Sequence, residues 1–342
     1  MATDDPALET LLLPLLNGPL AWPADGQVPF LRARPHPTLR RLGPGAKLLC
    51  QQSFKPHADA LTAAGFPPVA EVPAGPYPLV LALLPRQRAE ARALLAQGVS
   101  LAGAEGRVVA SLPNTEGAKS GEADLAALAG GVDSLSKNKS RVFWTTPGRP
   151  VDQALLESWA ALDAPRPIAG GRFTSRPGLF AWDRLDPAST LLAQHLPAGL
   201  KGRAADLGAG FGYLSAELLA RCPGITALDL YEAEARALDL ARQNLAGAAV
   251  PLAFHWQDVT TGLGKQYDVI VSNPPFHVGR ADDPGLGQAF VTAAAAALKP
   301  GGRFWLVANR HLPYEATLAK AFASFRTVVE DGGYKVLEAV KG

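Results

Sequence analysis

The second half of the chain alternates short apolar runs with longer stretches in which apolar residues recur at helical spacing. Tyr267–Ser272 (YDVIVS) is almost wholly apolar, which is typical of a strand buried on both faces of a sheet. Glu234–Leu245 instead spaces its apolar residues along one face of a helix. The predicted strands are 203–206, 225–231, 252–256, 267–272, 303–308, 327–330 and 334–340, and the predicted helices are 213–221, 234–245, 288–298 and 314–325. This alternation indicates a parallel, doubly wound sheet with an antiparallel strand near its end.

The first half shows a weaker form of the same alternation. Its predicted strands are 46–51, 79–84 and 107–112, and its predicted helices are 57–64, 87–97 and 125–129. A TTPGR turn at Thr145–Arg149 and a looser break at Ala164–Gly171 separate the two halves. We therefore predict an α/β protein of two tandem Rossmann-like domains, with mostly parallel sheets. The expected bounds are 1–147 for the first domain, 148–175 for a linker and 176–342 for the second domain.

Composition narrows the class of protein. Of 342 residues, 48% are hydrophobic and 19% charged, which excludes a disordered chain. A formal net charge of +2 excludes a protein that binds nucleic acid by overall charge alone, although a local basic patch remains possible. Two cysteines, Cys50 and Cys222, are too few for a disulfide framework or a zinc site. With no long apolar run and an acidic N-terminus, we expect a cytoplasmic protein without membrane or metal.

A glycine loop follows the first strand of the second half, in the segment Asp206–Gly212 (DLGAGFG). Its spacing is G-x-G-x-G rather than the G-x-G-x-x-G of a dinucleotide loop, and a tight turn or an S-adenosylmethionine site are the other interpretations. Glu232 ends the next strand, where a carboxylate can accept both hydroxyls of a ribose, and Asp258 follows the third strand, within reach of an adenine amine. Acidic residues suit a cofactor with a sulfonium and no phosphate. The candidate cofactor residues are Asp206, Gly208, Ala209, Gly210, Gly212, Glu232, Asp258 and Asn273.

The tetrapeptide Asn273-Pro274-Pro275-Phe276, directly after YDVIVS, indicates methylation of a planar nitrogen. The lone pair of an exocyclic amine is delocalised into its ring, so the amine must be held by acceptors that orient it toward the methyl group. The Asn273 side-chain oxygen and the Pro274 carbonyl can supply these acceptors, while Pro275 stiffens the turn. Phe276 can stack on a base turned out of its helix. The alternative is a strand-ending turn with Phe276 in the core.

These motifs, together with Glu232 and Asp258, resemble those of class I S-adenosylmethionine-dependent methyltransferases of the NPPF/Y type. More narrowly, they resemble the ribosomal RNA guanine-N2 methyltransferases of the RsmC type. His277 after NPPF is typical of that family. The segment Pro177–Phe180, followed by Leu185-Asp186 and by Ser189, Leu191 and Leu192, is similar to the entrance of the family's catalytic domain.

The resemblance implies two tandem methyltransferase domains, of which the second transfers a methyl group from S-adenosylmethionine to the N2 amine of a guanine in ribosomal RNA, with the small subunit favoured. The expected partner is ribosomal RNA or a ribosomal subunit, and we expect a monomer. Two alternatives stay open: another planar nitrogen (adenine N6 or a protein glutamine amide), because the same tetrapeptide serves those, and a non-catalytic RNA-binding assembly factor.

The first domain resembles a degenerate copy of the second. Cys50–Ser53 stands at the expected place of the glycine loop, and Leu84–Gln87 at that of NPPF, so we predict that this domain is catalytically silent and serves RNA positioning, folding or both. Two stretches without acidic residues are candidate phosphate contacts. Their basic residues are Arg32, Arg34, Arg40, Arg41, Lys47 and Lys55 in the first stretch, and Arg166, Arg172 and Arg176 in the second. Arg280 and Arg310 are expected near the flanking nucleotides. His277 is expected either to hydrogen-bond the substrate or to have a packing role.

Overall fold

The computed structural model describes residues 5–43, 45–275, 277–278, 281–282 and 284–342, and the chain forms two compact units. The first unit runs to Pro165 and includes Arg176–Gly178, while Arg166–Ser175 and Leu179–Gly342 form the second. Each unit is an α/β domain built on one main sheet. The two-domain α/β architecture predicted from the sequence is confirmed.

The first unit has a six-stranded sheet with the order β2-β1-β3-β4-β6-β5. The first four strands in this order are parallel to one another, and β6 lies antiparallel between β4 and β5. Its elements are α1 Pro6–Leu16, β1 Gln27–Leu31, β2 Lys47–Cys50, α2 Lys55–Ala63, β3 Leu79–Leu83, α3 Arg88–Ala102, β4 Arg107–Pro113, α4 Ala118–Leu128, β5 Val132–Lys137, β6 Ser140–Thr145 and α5 Gln153–Ala160.

The second unit has a seven-stranded sheet with the order β11-β10-β9-β12-β15-β17-β16. Its first five strands are parallel, and β17 lies antiparallel between β15 and β16, as the sequence predicts. Its elements are β7 Arg166–Ile168, β8 Phe173–Ser175, α6 Pro187–His195, β9 Lys201–Leu207, α7 Tyr213–Arg221, β10 Gly224–Glu232, α8 Ala235–Asn244, β11 Leu252–Trp256, β12 Tyr267–Ser272, β13 His277–Val278, β14 Ala281–Asp282, α9 Pro284–Ala297, β15 Leu298–Asn309, α10 Glu315–Ala321, β16 Ser324–Asp331 and β17 Tyr334–Val340.

Apolar side chains cover both faces of the second sheet, and this determines where polar groups can lie. In β12, Val269 and Val271 pack into one core layer and Ile270 into the opposite layer. A strand buried on both faces reads as a continuous apolar run, which is the pattern of YDVIVS. Functional side chains are therefore confined to the carboxyl ends of the strands, where the buried run stops.

The sequence pattern did not predict β1, β5 and β6 of the first unit, and the omission of β1 shifts the comparison of the two domains. β1 lies between β2 and β3, as β9 lies between β10 and β12, yet β1 contains Pro29, which is unusual in an interior strand. The loop that begins at Arg32 therefore corresponds to the glycine loop. The assignment of Cys50–Ser53 to that place was wrong, because this segment follows β2, the counterpart of β10. Leu84–Gln87 does follow the counterpart of β12.

Residues 148–175, which the sequence predicts to be a linker, instead form parts of both units. Helix α5 belongs to the first unit, where Trp159 is buried and Arg92 lies over its ring, 4.8 Å from the centroid. Strands β7 and β8 form an antiparallel hairpin in the second unit. The contacts therefore divide the chain close to Pro165, between these two elements.

Candidate active site

The glycine loop connects β9 to α7 and is tied to the neighbouring strand by backbone hydrogen bonds. The N–H groups of Gly208 and Ala209 both donate to the carbonyl oxygen of Tyr231 in β10, at 2.9 and 3.1 Å. Gly208 and Gly210 have φ values of 74° and 55°, a region that side chains rarely adopt. A Cβ atom on Gly210 would meet nothing within 4 Å, so the backbone there borders open space. A ligand can approach it closely.

Glu232 anchors this loop from the end of β10. Its Oε2 accepts a hydrogen bond from the Gly210 N–H at 2.8 Å, and its Oε1 accepts one from the Glu234 N–H at 2.8 Å. Burial raises the pKa of Glu232, and the two backbone donors oppose that rise. A carboxylate has about four lone-pair sites, so it can still accept the hydroxyls of a ribose. The predicted cofactor role of Glu232 fits this geometry and stays a prediction.

Asp206 lies at the end of β9 with no solvent exposure. Its Oδ2 accepts a hydrogen bond from the Ser215 hydroxyl at 2.7 Å, while Oδ1 has no partner among the described residues. Burial raises the pKa of Asp206 to about 7, with Glu232 adding to the rise and Ser215 opposing it. A buried carboxylate with a free oxygen beside an open glycine loop fits a cationic cofactor.

Asn273 follows β12 and is held by two side chains at the start of α6. Its Nδ2 donates to Asp186 Oδ2 at 3.0 Å and to the Ser189 hydroxyl oxygen at 2.9 Å. Pro274 is buried and Pro275 exposed. A cleft brings the predicted Asn273, Gly208, Ala209 and Gly210 together; its other lining residues are Phe180, Ala181, Asp186, Ser189, Phe211, Tyr213 and Leu214.

Other predicted residues lie apart from this cleft or outside the described residues. Asp258 lies beyond β11, where its Oδ1 accepts from the N–H of Thr260 at 2.9 Å and caps a short turn. Gly212 packs toward α8, with a Cβ there 3.3 Å from Ala241. Phe276, Arg280 and the side chain of His277 lie outside the described residues.

Among the lining residues that had no predicted role, Phe180, Asp186 and Ser189 matter most for the site. Phe180 is 64% exposed, and Asp186 and Ser189 hold Asn273. The Asp-Pro-x-Ser pattern is a recognisable helix start, and Asp186 does cap α6. Their contact with Asn273 spans 84 to 87 positions, so no local pattern could have revealed it.

Several arginines in the two acid-free stretches are paired with carboxylates from distant parts of the sequence. Arg32 pairs with Glu90 at 2.8 Å, Arg34 with Asp5 at 3.1 Å and Arg172 with Glu217 at 2.6 Å. Arg176 pairs with Asp163. A stretch without acids in sequence is therefore not a stretch without acids in space. Arg310, by contrast, is exposed at the carboxyl end of β15.

Two features of the described residues bear on membranes and metals. No helix among them has both the length and the apolar character needed to cross a bilayer. The same part of the chain contains no group of three or more His, Cys, Asp or Glu side chains that could hold a metal ion.

The sheet order with its antiparallel β17, the glycine loop after the central strand and the Asn-Pro-Pro turn beside it define a class I S-adenosylmethionine-dependent methyltransferase domain. The family model described as "Methyltransferase small domain" matches residues 170–338. The second unit therefore contains this methyltransferase domain, and the resemblance of the chain to the RsmC type is supported by its relatives and by a solved structure. The predicted enzyme class and the predicted cofactor, S-adenosylmethionine, are confirmed.

Similar proteins include two curated relatives and one solved structure. Ribosomal RNA small subunit methyltransferase C of Shewanella loihica is 39% identical over 159 residues, 46% of each chain. The protein of the same name from Chromohalobacter salexigens is 34% identical over 221 residues, 64% of each chain. These matches therefore span about half to two thirds of the relatives' length. The T. thermophilus 16S rRNA N2 methyltransferase (RsmC), solved with AdoMet and guanosine, has a TM-score of 0.79 and 27% identity, covering 100% of this chain and 93% of that one.

Proposed function

We propose that this protein transfers a methyl group from S-adenosylmethionine to the exocyclic N2 amine of a guanine in ribosomal RNA, with the small subunit favoured. The observation that carries the proposal is the cleft in which Asn273 faces the glycine loop, its amide held by Asp186 and Ser189. The names of the relatives support a small-subunit RNA, and the solved relative was crystallised with AdoMet and guanosine.

The glycine loop of the cleft and the two carboxylates at the ends of β9 and β10 fit the cofactor. Gly210 leaves room for close approach, Glu232 has lone pairs left for a ribose, and the free oxygen of Asp206 suits a positive charge. S-adenosylmethionine, when bound, supplies an electrophilic methyl group on a sulfonium. We assign the cofactor to Asp206, Gly208, Ala209, Gly210, Gly212, Glu232, Asp258 and Asn273.

The chain's part in the transfer is to orient the amine. The Asn273 Oδ1 and the Pro274 carbonyl oxygen accept the two amine hydrogens, which turns the nitrogen lone pair toward the methyl carbon. S-adenosylmethionine would supply the methyl group and keep the electron pair of the C–S bond, and the proton of the methylated amine would pass to water. No side chain with a matched pKa is required, because the methylated amine is acidic. In this proposal Phe276 stacks on the base and Pro275 stiffens the turn.

The test uses purified protein, S-adenosylmethionine and small ribosomal subunits from cells that lack the enzyme. We expect one new N2-methylguanosine by mass spectrometry of the digested RNA, and its absence with Asn273→Ala. New N6-methyladenosine, or methylation of a protein glutamine, would support the other planar nitrogens. Cofactor binding without any methyl transfer to RNA or protein, or no cofactor binding at all, would support an assembly factor.

The proposed partners follow from this substrate. The protein would act as a monomer on ribosomal RNA or an assembling subunit in the cytoplasm. The first domain would position RNA and remain catalytically silent. Mixing with naked 16S RNA and with assembled subunits, followed by the same nucleoside measurement, separates the two forms of substrate.

A further inference from the structure

Asn273 Nδ2 is shared by two acceptors on one helix terminus. Asp186 Oδ2 lies 3.0 Å from this nitrogen, and the Ser189 hydroxyl oxygen lies 2.9 Å from it. Both side chains line the same cleft as Asn273 and the glycine loop. The amide nitrogen therefore points toward the start of α6.

Orientation matters because a primary amide presents a donor and an acceptor of almost the same shape. Only the hydrogen-bond partners of the amide determine where its oxygen lies and where its nitrogen lies. A rotation by 180° would set Oδ1 against the carboxylate of Asp186, so two acceptors would face each other. It would also offer an N–H to the substrate amine, which is itself a donor. The two contacts with α6 exclude both outcomes.

The helix start holds Asp186 firmly in place. Asp186 Oδ2 also accepts a hydrogen bond from the Ser189 N–H at 2.8 Å, which caps α6. Its backbone carbonyl accepts the Thr190 hydroxyl at 2.9 Å. Leu192 and Ala193 of the same helix are buried in the core. The acceptor pair is thus anchored to a helix that packs into the domain core.

We propose that Asp186 and Ser189 are positioning residues, which fix the Asn273 amide so that its Oδ1 faces the amine to be methylated. This inference rests on the proposed function. Asp186 does not react in this scheme, because its role is to act through Asn273. Its loss should therefore lower kcat much more than it lowers the affinity for the cofactor.

The experiment compares Asp186→Ala with two matched variants. Asp152→Ala removes another N-cap, that of α5 in the first unit, where Asp152 Oδ1 accepts from the Leu155 N–H at 2.9 Å. Asp186→Asn keeps an acceptor oxygen and a good cap. We expect Asp186→Ala to lower kcat about 10- to 100-fold, the range that a hydrogen bond to a charged group supports. Cofactor Kd should stay within about twofold, while Asp186→Asn should recover most of kcat and Asp152→Ala should leave it unchanged.

A second readout does not depend on the substrate. The side-chain NH2 signals of Asn273, assigned by their loss in Asn273→Ala, should exchange slowly with solvent and should lose that protection in Asp186→Ala and Ser189→Ala. Unchanged protection and kcat in Asp186→Ala would overturn the proposal, as would an equal loss of kcat in Asp152→Ala. If protection changes as expected while no guanine is methylated, the positioning role stands and the proposed function fails.

Discussion

Arg32 and Gly208 occupy matching places in the two domains. Arg32 directly follows β1, which lies between β2 and β3, and Gly208 directly follows β9, which lies between β10 and β12. Both have positive φ values, 53° and 74°. In the first domain, however, the Arg32 N–H donates to the Gln51 side chain, and its guanidinium pairs with Glu90. Side chains thus occupy the place that the glycine loop keeps free, and we expect only the second domain to bind the cofactor.

The first prediction is a stoichiometry of one cofactor per chain by isothermal titration calorimetry. Gly210→Val should abolish measurable binding, because the side chain would fill the open space beside the loop and strain a backbone with φ 55° by about 1–2 kcal/mol. Gly117→Ala is the matched control: it too has positive φ and open space, but it lies in the first domain. Two cofactors per chain, or tight binding by Gly210→Val, would contradict this.

Glu232→Gln tests the anchor of the loop. A glutamine can accept from only one of the two backbone N–H groups that Glu232 binds, so the other loses its partner. We expect a free energy of unfolding lower by about 1–3 kcal/mol and a cofactor Kd raised at least about tenfold. Denaturant titration and calorimetry measure the two effects. Glu234→Gln, which changes the carboxylate paired with Arg236 at 2.9 Å, should leave cofactor Kd almost unchanged.

The raised pKa of Asp206, about 7, predicts a pH dependence. Because burial makes the folded state hold this proton more tightly than the unfolded state, stability is greatest below the unfolded pKa of about 4 and falls as pH rises through about 7. A cationic cofactor favours the ionised carboxylate, so its affinity should rise over the same range. Both trends should flatten in Asp206→Asn. Parallel curves for the variant and the wild type, in thermal melts and in Kd, would refute the assignment.

Phe180 supplies a test of base contact, since 64% of its surface is exposed beside Asn273. We expect Phe180→Ala to fold and bind the cofactor normally, because few core contacts are lost. Stacking contributes about 1–3 kcal/mol per base, so kcat/KM for the RNA should fall about 5- to 150-fold. Phe54→Ala, an exposed aromatic of the first domain, is the control. An unchanged kcat/KM in Phe180→Ala would exclude Phe180 from base contact.

The parts that the sequence predicts best are those whose pattern is local. The buried run of β12 and the Asn273-Pro274 turn after it follow directly from residue types, and so does the glycine loop. Strand β1 was missed because Pro29 argues against an interior strand, and that omission displaced the glycine-loop counterpart by one strand. The support of Asn273 by Asp186 depends on how β12 and α6 pack, which no spacing along the chain encodes.

The pairing of Arg34 with Asp5 and of Arg172 with Glu217 changes what binding a polyanion would involve. A phosphate that reached either guanidinium would have to exchange with a carboxylate already there, one anion replacing another. Such an exchange releases fewer counterions than contact with an unpaired arginine, because the carboxylate already compensates part of the guanidinium charge. The carboxylate partners already orient these arginines and neutralise part of their charge. Selectivity for a nucleic acid would therefore come more from shape and from the cleft around Asn273 than from long-range electrostatic attraction.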